Sequence, residues 1–158
     1  MRPDYRMTRI TREEPERLYA LLKTFAEVFD ERDTYLENQP TTAYLRRLLG
    51  SDDFIALVAL RGEEVIGGLA AYELRKFEQE RSEVYLYDLA VAAEHRRQGV
   101  ATALIEALRR IAADRRAYVI FVQADTGPED AAAIALYDKL GTREQVLHFD
   151  IPVGGPVA

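Results

Sequence analysis

The 158-residue chain contains no cysteine and only two histidines, at positions 95 and 148. The first absence removes disulfides, thiolate nucleophiles and zinc–thiolate sites together, and two histidines leave little for a metal cage, so no metal is expected. Basic residues are also in deficit: Lys and Arg number 21 against 27 Asp and Glu, a formal charge of −6. Phosphate backbones are bound by surplus Lys and Arg, so no nucleic acid partner is expected, whereas a cationic partner is easily accommodated. Long apolar runs are missing as well. The opening MRPDYRMTR has no apolar signal core, and FIALVAL at 54–60 is a strand's length, far below a membrane span. A soluble, cytoplasmic protein without a membrane partner is the expectation.

A chain of this length builds one core, and a single domain over 1–151 with a flexible tail, PVGGPVA at 152–158, is expected. Pro15 and the spacing of Leu18, Leu21, Leu22, Phe25, Val28 and Phe29 predict a helix over 15–29. A short helix from an N-cap at Thr41 to Leu49 follows, stopped by Gly50. FIALVAL and residues 65–74 form a hairpin around RGEE at 61–64. VYLYDLAVA at 84–92 and AYVIFVQA at 117–124 are apolar on both faces, as strands in the middle of a covered sheet are. Between them, residues 98–114 carry Val100, Leu104, Leu108 and Ile111 on one helical face, so the two strands are parallel and joined by a right-handed crossover. A helix over 128–140 and an alternating strand over 145–151 complete an α/β fold, a mixed central sheet with helices on both faces.

The residues with chemical content cluster where the crossover begins. Arg96-Arg97-Gln98-Gly99-Val100-Ala101 lies at the carboxyl end of a central strand and the amino end of its helix, the crevice in which open α/β sheets bind ligands. First-turn N–H groups and the helix dipole attract an anion there; Gly99 permits close approach, Ala101 keeps the turn slim, and the arginines add forked donors. An arginine pair that merely solvates a helix start fits the spacing equally well.

The hexamer RRQGVA resembles the Arg/Gln-x-x-Gly-x-Gly/Ala signature of the GNAT superfamily of acyl-CoA-dependent N-acetyltransferases. Downstream, AIALYDKLG resembles that superfamily's second segment, a helix with a tyrosine that ends at a glycine. Longer runs, FIALVAL, GGLAAYEL, KFEQERSEVYLYDLAV, AYVIFVQAD and VLHFDI, resemble the type I aminoglycoside 3-N-acetyltransferases, the gentamicin-acetylating group. The chain departs from that group before about Ala20, in TGPEDAAA, and in its tail.

The resemblance implies a GNAT fold with splayed parallel strands, acetyl-CoA as donor, and direct transfer to the 3-amino group of an aminoglycoside as the basis of antibiotic resistance. It implies a cofactor site from Leu89, Ala90 and Val91 through Arg96, Arg97, Gln98, Gly99, Val100, Ala101 and Thr102, with Tyr137. Asp88 and Asp125 are both candidates to take the amine's proton. Asp88 sits in an apolar strand that would raise its pKa, and it could equally be a structural aspartate; Asp125 could equally cap the following turn. Tyr137 is the acid for the leaving thiolate, or else a core tyrosine. Asp33 and Glu37 in the first interhelical loop, Tyr87, Asp125, Glu129 and Asp130 are expected to bind the polycation. Acetylation of a polyamine or another cationic amine is the alternative within the same chemistry, and a non-catalytic acyl-CoA-binding module the alternative outside it. A homodimer through the C-terminal strand, 145–151, is expected.

Overall fold

The computed structural model describes residues 3–155, so the end of the expected tail, 156–158, lies outside the described residues. The chain divides into two compact units, Met1–Gln123 and Ala124–Ala158. The first contains a five-stranded sheet in chain order: β1 (Arg6–Arg9), β2 (Phe54–Arg61), β3 (Glu64–Arg75), β4 (Ser82–Val91) and β5 (Ala117–Val122). Three junctions are antiparallel and only β4 with β5 is parallel. Helices α1 (Pro15–Phe29), α2 (Thr42–Leu49) and α3 (Val100–Asp114) cover both sides of the sheet.

Strand β2 is buried along nearly its whole length because alternate residues serve two cores. Phe54, Ala56, Val58 and Leu60 join Leu18, Leu21 and Phe25 of α1 and Leu45 and Leu49 of α2. Ile55, Leu57 and Ala59 turn the other way, and α3 contributes Val100, Leu104, Ile105, Leu108 and Ala112 as its buried stripe. The approach of α1 to β3 is close at Gly68, where a Cβ would stand 2.6 Å from both Leu21 Cδ1 and the Leu57 carbonyl oxygen. The α2 start is local chemistry: Thr41 accepts a hydrogen bond from the Tyr44 N–H at 3.1 Å, a side-chain N-cap.

The second unit holds a single 3₁₀ turn, Pro128–Asp130, and helix α4 (Ala131–Leu140), so the predicted start at Pro128 belongs to the tighter turn. The strand expected over 145–151 is not formed. Residues 142–152 are in no helix or strand, and Val146, Leu147, Phe149 and Ile151 are 68, 84, 77 and 84 % exposed. Alternation makes a segment capable of pairing, but a strand exists only where a neighbour takes its N–H and C=O groups. Other elements differ from expectation too, β4 among them, which starts two residues early at Ser82. β1 was not anticipated, since RMTR is mostly polar and is strand only by pairing with β2. α3 starts at Val100 because Gly99 is left-handed, and β5 ends at Val122, two residues early. β5 is also not in the middle of a covered sheet, where its apolar run predicts it: it is the edge strand, paired among the described residues with β4 alone, with Tyr118 and Val119 exposed. Among the described residues no helix is long and apolar enough to cross a membrane.

Candidate active site

The site begins where β4 loses one of its two neighbours. On the β3 side, pairing continues to Val91 opposite Gly67, but on the β5 side the last pair is Leu86 with Val122. The register slips at the same place: Ala71 faces Leu86 and Ala70 faces Asp88, so Tyr87 is an extra residue, a β-bulge. Beyond it the Ala92 N–H donates to the Ile66 carbonyl at 2.9 Å. Backbone groups alternate sides along a strand, so those of Leu89 and Val91 point away from β3, along an edge that β5 has left. Ala90 points into the core on the α1 side.

The chain then makes a 3₁₀ turn, Ala93–His95, and a tight bend with Arg97 and Gly99 both left-handed, at φ of 62° and 78°. This conformation favours glycine at 99; a Cβ there would meet only the Tyr5 hydroxyl, at 4.0 Å. The first intrahelical bond of α3 runs from the Ala103 N–H to the Gly99 carbonyl, which leaves the N–H groups of Val100, Ala101 and Thr102 without a helical acceptor. With the helix dipole they form a cradle for an anion. Arg96 donates through Nε to the Val91 carbonyl at 3.3 Å, and Gln98 Oε1 accepts from Arg61 at 3.3 Å; Arg97 is exposed. The group that would fit this run is one with a phosphate at one end and an extended amide-bearing arm at the other: unpaired donors face the first, and an open strand edge the second.

Asp88, the one charged residue of the strand's apolar stretch, is half-buried next to the bulge. Tyr35 donates to its Oδ2 at 2.9 Å. Burial pushes the Asp88 carboxyl above its ordinary value, the Tyr35 hydrogen bond pulls it back, and the nearby Glu31 charge pushes it up again. Tyr35 itself is driven well above the usual phenol range by burial and by the Asp88 charge. It belongs to a π-helical turn, Asp33–Glu37, and its ring packs on Phe25 and Phe29 at centroid distances of 5.7 and 5.9 Å. The far end of that loop is held by the Tyr19 hydroxyl on the Pro40 carbonyl at 2.6 Å. The acidic loop is thereby docked over Asp88, with Asp33 and Glu37 exposed and a cavity of about 420 Å³ lined by Asp30, Glu31, Arg32, Asp33 and Thr34. Tyr87 lies edge-on to both Tyr72 and Tyr85, at 5.7 and 5.5 Å. Sequence reasoning had no place for Tyr35; its one signal was an aromatic residue inside a run of acids.

The second unit carries the remaining expected residues. The Asp125 N–H donates to Asp130 Oδ2 at 3.1 Å, so the turn is closed by the Asp130 carboxylate and the Asp125 side chain does not cap it. Glu129 is exposed. Tyr137 lies partly buried on α4 with Ala133, Leu136 and Leu140. Of the histidines, His95 is buried, and with Glu64 and Glu94 it brings one ligand-type atom per residue within 4.8 Å of the others.

A parallel pair whose ladder stops just before a bulge, an open strand edge, and an anion cradle at the next helix fit the architecture of an acyl-CoA-dependent acyltransferase. The acetyltransferase (GNAT) family matches residues 16–142, and the chain belongs to that family. It is similar to the crystal structure of an aminoglycoside acetyltransferase, HMB0005, from an uncultured soil metagenomic sample: 61 % identity, 95 % of this chain and 99 % of that one, TM-score 0.93. It is also similar to an aminoglycoside acetyltransferase, meta-AAC0020, from an uncultured soil metagenomic sample in complex with sisomicin, at 28 % identity over 94 % of this chain and 96 % of that one, TM-score 0.86. N-acetyltransferase 8B of Rattus norvegicus is 29 % identical over 92 residues, 58 % of this chain and 40 % of that protein. The chain thus spans about two fifths of the length of the curated relatives it matches.

The raised Asp88 carboxyl makes a stability prediction. A carboxyl whose folded pKa lies above its unfolded value binds more protons folded than unfolded between the two, so its charge destabilises the fold as pH rises through that window. Asp88→Asn, which cannot ionise and can still accept from Tyr35, is expected to raise Tm at pH 8, and the gain is expected to vanish at pH 3, below the ordinary carboxylate value. Thermal melts at the two pH values check this; an equal effect at both would contradict it.

Proposed function

We propose that this acetyltransferase transfers an acetyl group from acetyl-CoA to the 3-amino group of an aminoglycoside, directly and in a ternary complex, as an antibiotic-resistance enzyme. The observation that carries the reading is the half-buried Asp88 carboxyl group under an acidic loop, next to an open strand edge that leads to an anion cradle. The 61 % identity to an aminoglycoside acetyltransferase over nearly the whole chain supports the substrate class, and the type I resemblance of the strand and helix runs supports position 3.

Acetyl-CoA supplies the acetyl group as a thioester. Val100, Ala101 and Thr102 hold its pyrophosphate through their N–H groups, with Arg97 adding charge, and Leu89 and Val91 bind the pantetheine arm as an added strand. Arg96 gives up the Val91 carbonyl to that arm. Acidic side chains Asp33, Glu37, Glu129 and Asp130 attract the ammonium groups, and the aromatic wall at Tyr87 orients the ring. Asp88 or Asp125 removes the proton of the attacking ammonium, which frees its lone pair for the thioester carbonyl. An N–H at the end of β4 polarises the carbonyl oxygen, and Tyr137 gives a proton to the departing sulfur. No covalent enzyme intermediate is involved, so the absence of cysteine costs the mechanism nothing.

A thiol-release assay with acetyl-CoA and gentamicin, kanamycin, spermidine or lysine is expected to show turnover on gentamicin well above that on spermidine. Tyr137→Phe is expected to lower kcat by about 10²-fold with little change in acetyl-CoA affinity. Turnover confined to spermidine would shift the substrate to a polyamine, and binding of acetyl-CoA with no turnover of any amine would make the chain a binding module. Loss of the Tyr35 hydroxyl removes a hydrogen bond that favours ionised Asp88. Tyr35→Phe is therefore expected to move the acid limb of the kcat/KM profile to higher pH and to leave the alkaline limb in place; an unmoved acid limb would assign the base to Asp125.

The exposed apolar side chains at 146, 147, 149 and 151 fit a homodimer in which the C-terminal segment gains cover. Sedimentation velocity is expected to give a dimer, and a monomer at high concentration would exclude it.

A further inference from the structure

The end of the sheet remote from Gly99 holds a second concentration of unsatisfied donors. Ser82 opens β4, opposite Arg75 at the end of β3 and Ala117 at the start of β5, and Arg115 and Arg116 follow directly on α3. Together with Arg81, Glu73 and Glu80 they line a cavity of about 360 Å³. Four guanidiniums face two carboxylates there, a positive site in a chain of net charge −6.

Two of the guanidiniums are spoken for. Arg115 donates to Glu73 Oε1 at 2.6 Å, and Arg75 to both oxygens of Asp53 at 2.8 and 2.9 Å. The others are not neutralised. Arg81 stacks over the Tyr118 ring at 3.8 Å, and its buried Nε has no hydrogen-bond partner among the described residues. Arg116, held left-handed at φ 60°, has no ion pair among them. Ser82 is only 3 % exposed, and its Oγ, closed off beneath the cavity wall, also has no hydrogen-bond partner among the described residues. Two guanidiniums with no ion pair among the described residues therefore line one cavity, and their chemistry describes what can fill it. A guanidinium offers donors and no acceptor, so the occupant must bring acceptor oxygens, and the excess positive charge requires it to be an anion.

We propose that this cavity is a second anion site, separate from the cradle at Gly99, which binds a phosphate group through Arg81 and Arg116. A tetrahedral phosphate presents oxygens in several directions at once, which suits two guanidiniums that approach from a hairpin and a helix end. Occupancy would tie the turn at 76–81, now closed by the Lys76 N–H on the Arg81 carbonyl at 2.9 Å, to the end of α3. The site would therefore act on the stability of the β3–β4 hairpin, without contact with the reacting groups.

The test is calorimetric titration with sodium phosphate at constant ionic strength, on wild type, Arg81→Gln, Arg116→Gln and Arg97→Gln. Arg116 is exposed, so its variant is expected to fold even if the Arg81 variant does not. The expected result is saturable binding that Arg81→Gln or Arg116→Gln weakens at least tenfold and that persists in Arg97→Gln. No saturable binding by wild type would overturn the proposal. So would binding that is lost in Arg97→Gln and unchanged in Arg116→Gln, because the phosphate would then lie at the α3 start alone. Glycerol phosphate run beside inorganic phosphate distinguishes the sources: tighter binding of the ester assigns the site to a phosphorylated metabolite, equal binding to the free ion.

Discussion

The loss of β5 as a neighbour of β4 after Leu86 is the constraint on which the rest of the first unit depends. A strand in the middle of a sheet has no spare backbone groups, and a strand at the edge is open to anything. β4 is both: central up to Leu86, then an edge from Tyr87 to Val91 that remains backed by β3. The extra residue at Tyr87 adds local twist where the neighbour departs. It also brings Asp88 to the start of the open stretch, so the carboxylate and the free edge arise from one irregularity.

Charge is arranged with similar economy. The chain is acidic overall, yet arginines gather at two ends of the sheet, Arg96 and Arg97 beside Gly99 and Arg75, Arg81, Arg115 and Arg116 around Ser82. Between these ends the acidic loop after α1 lies over β4, pinned by a hydroxyl at each side, Tyr19 on Pro40 and Tyr35 on Asp88. A loop so charged would otherwise be held away from a buried carboxylate by repulsion, and the donated hydrogen bond and the Phe25–Phe29–Tyr35 ring cluster offset that cost.

Much of this was legible in the residues. The periodicity of Leu18, Leu21 and Phe25 marks α1, the apolar runs of β2 and β4 mark strands inside the sheet, and Thr41 and Gly99 mark helix starts because capping and left-handed turns depend on a few adjacent residues; the equally apolar β5 lies at the edge. The 145–151 segment shows the limit of that reasoning. Its alternation of Leu147, Phe149 and Ile151 with Val146, His148 and Asp150 is compatible with a strand, but alternation describes faces and says nothing of a partner. The polar RMTR of β1 is the converse case, a strand formed by the register of β2 alone.

The sequence by itself determined the order and type of most elements, the acidic balance, the absence of thiol chemistry and the anion-ready start of α3, because each rests on composition or on contacts a few residues apart. Only the tertiary structure decided that Tyr35 would hold Asp88 across 53 residues of chain, that Tyr87 would bulge, and that Ser82 would meet Arg81 and Arg116 around one cavity. Those pairings depend on where whole strands and helices come to rest against each other, and local patterns carry no information about distances between elements until packing has set them.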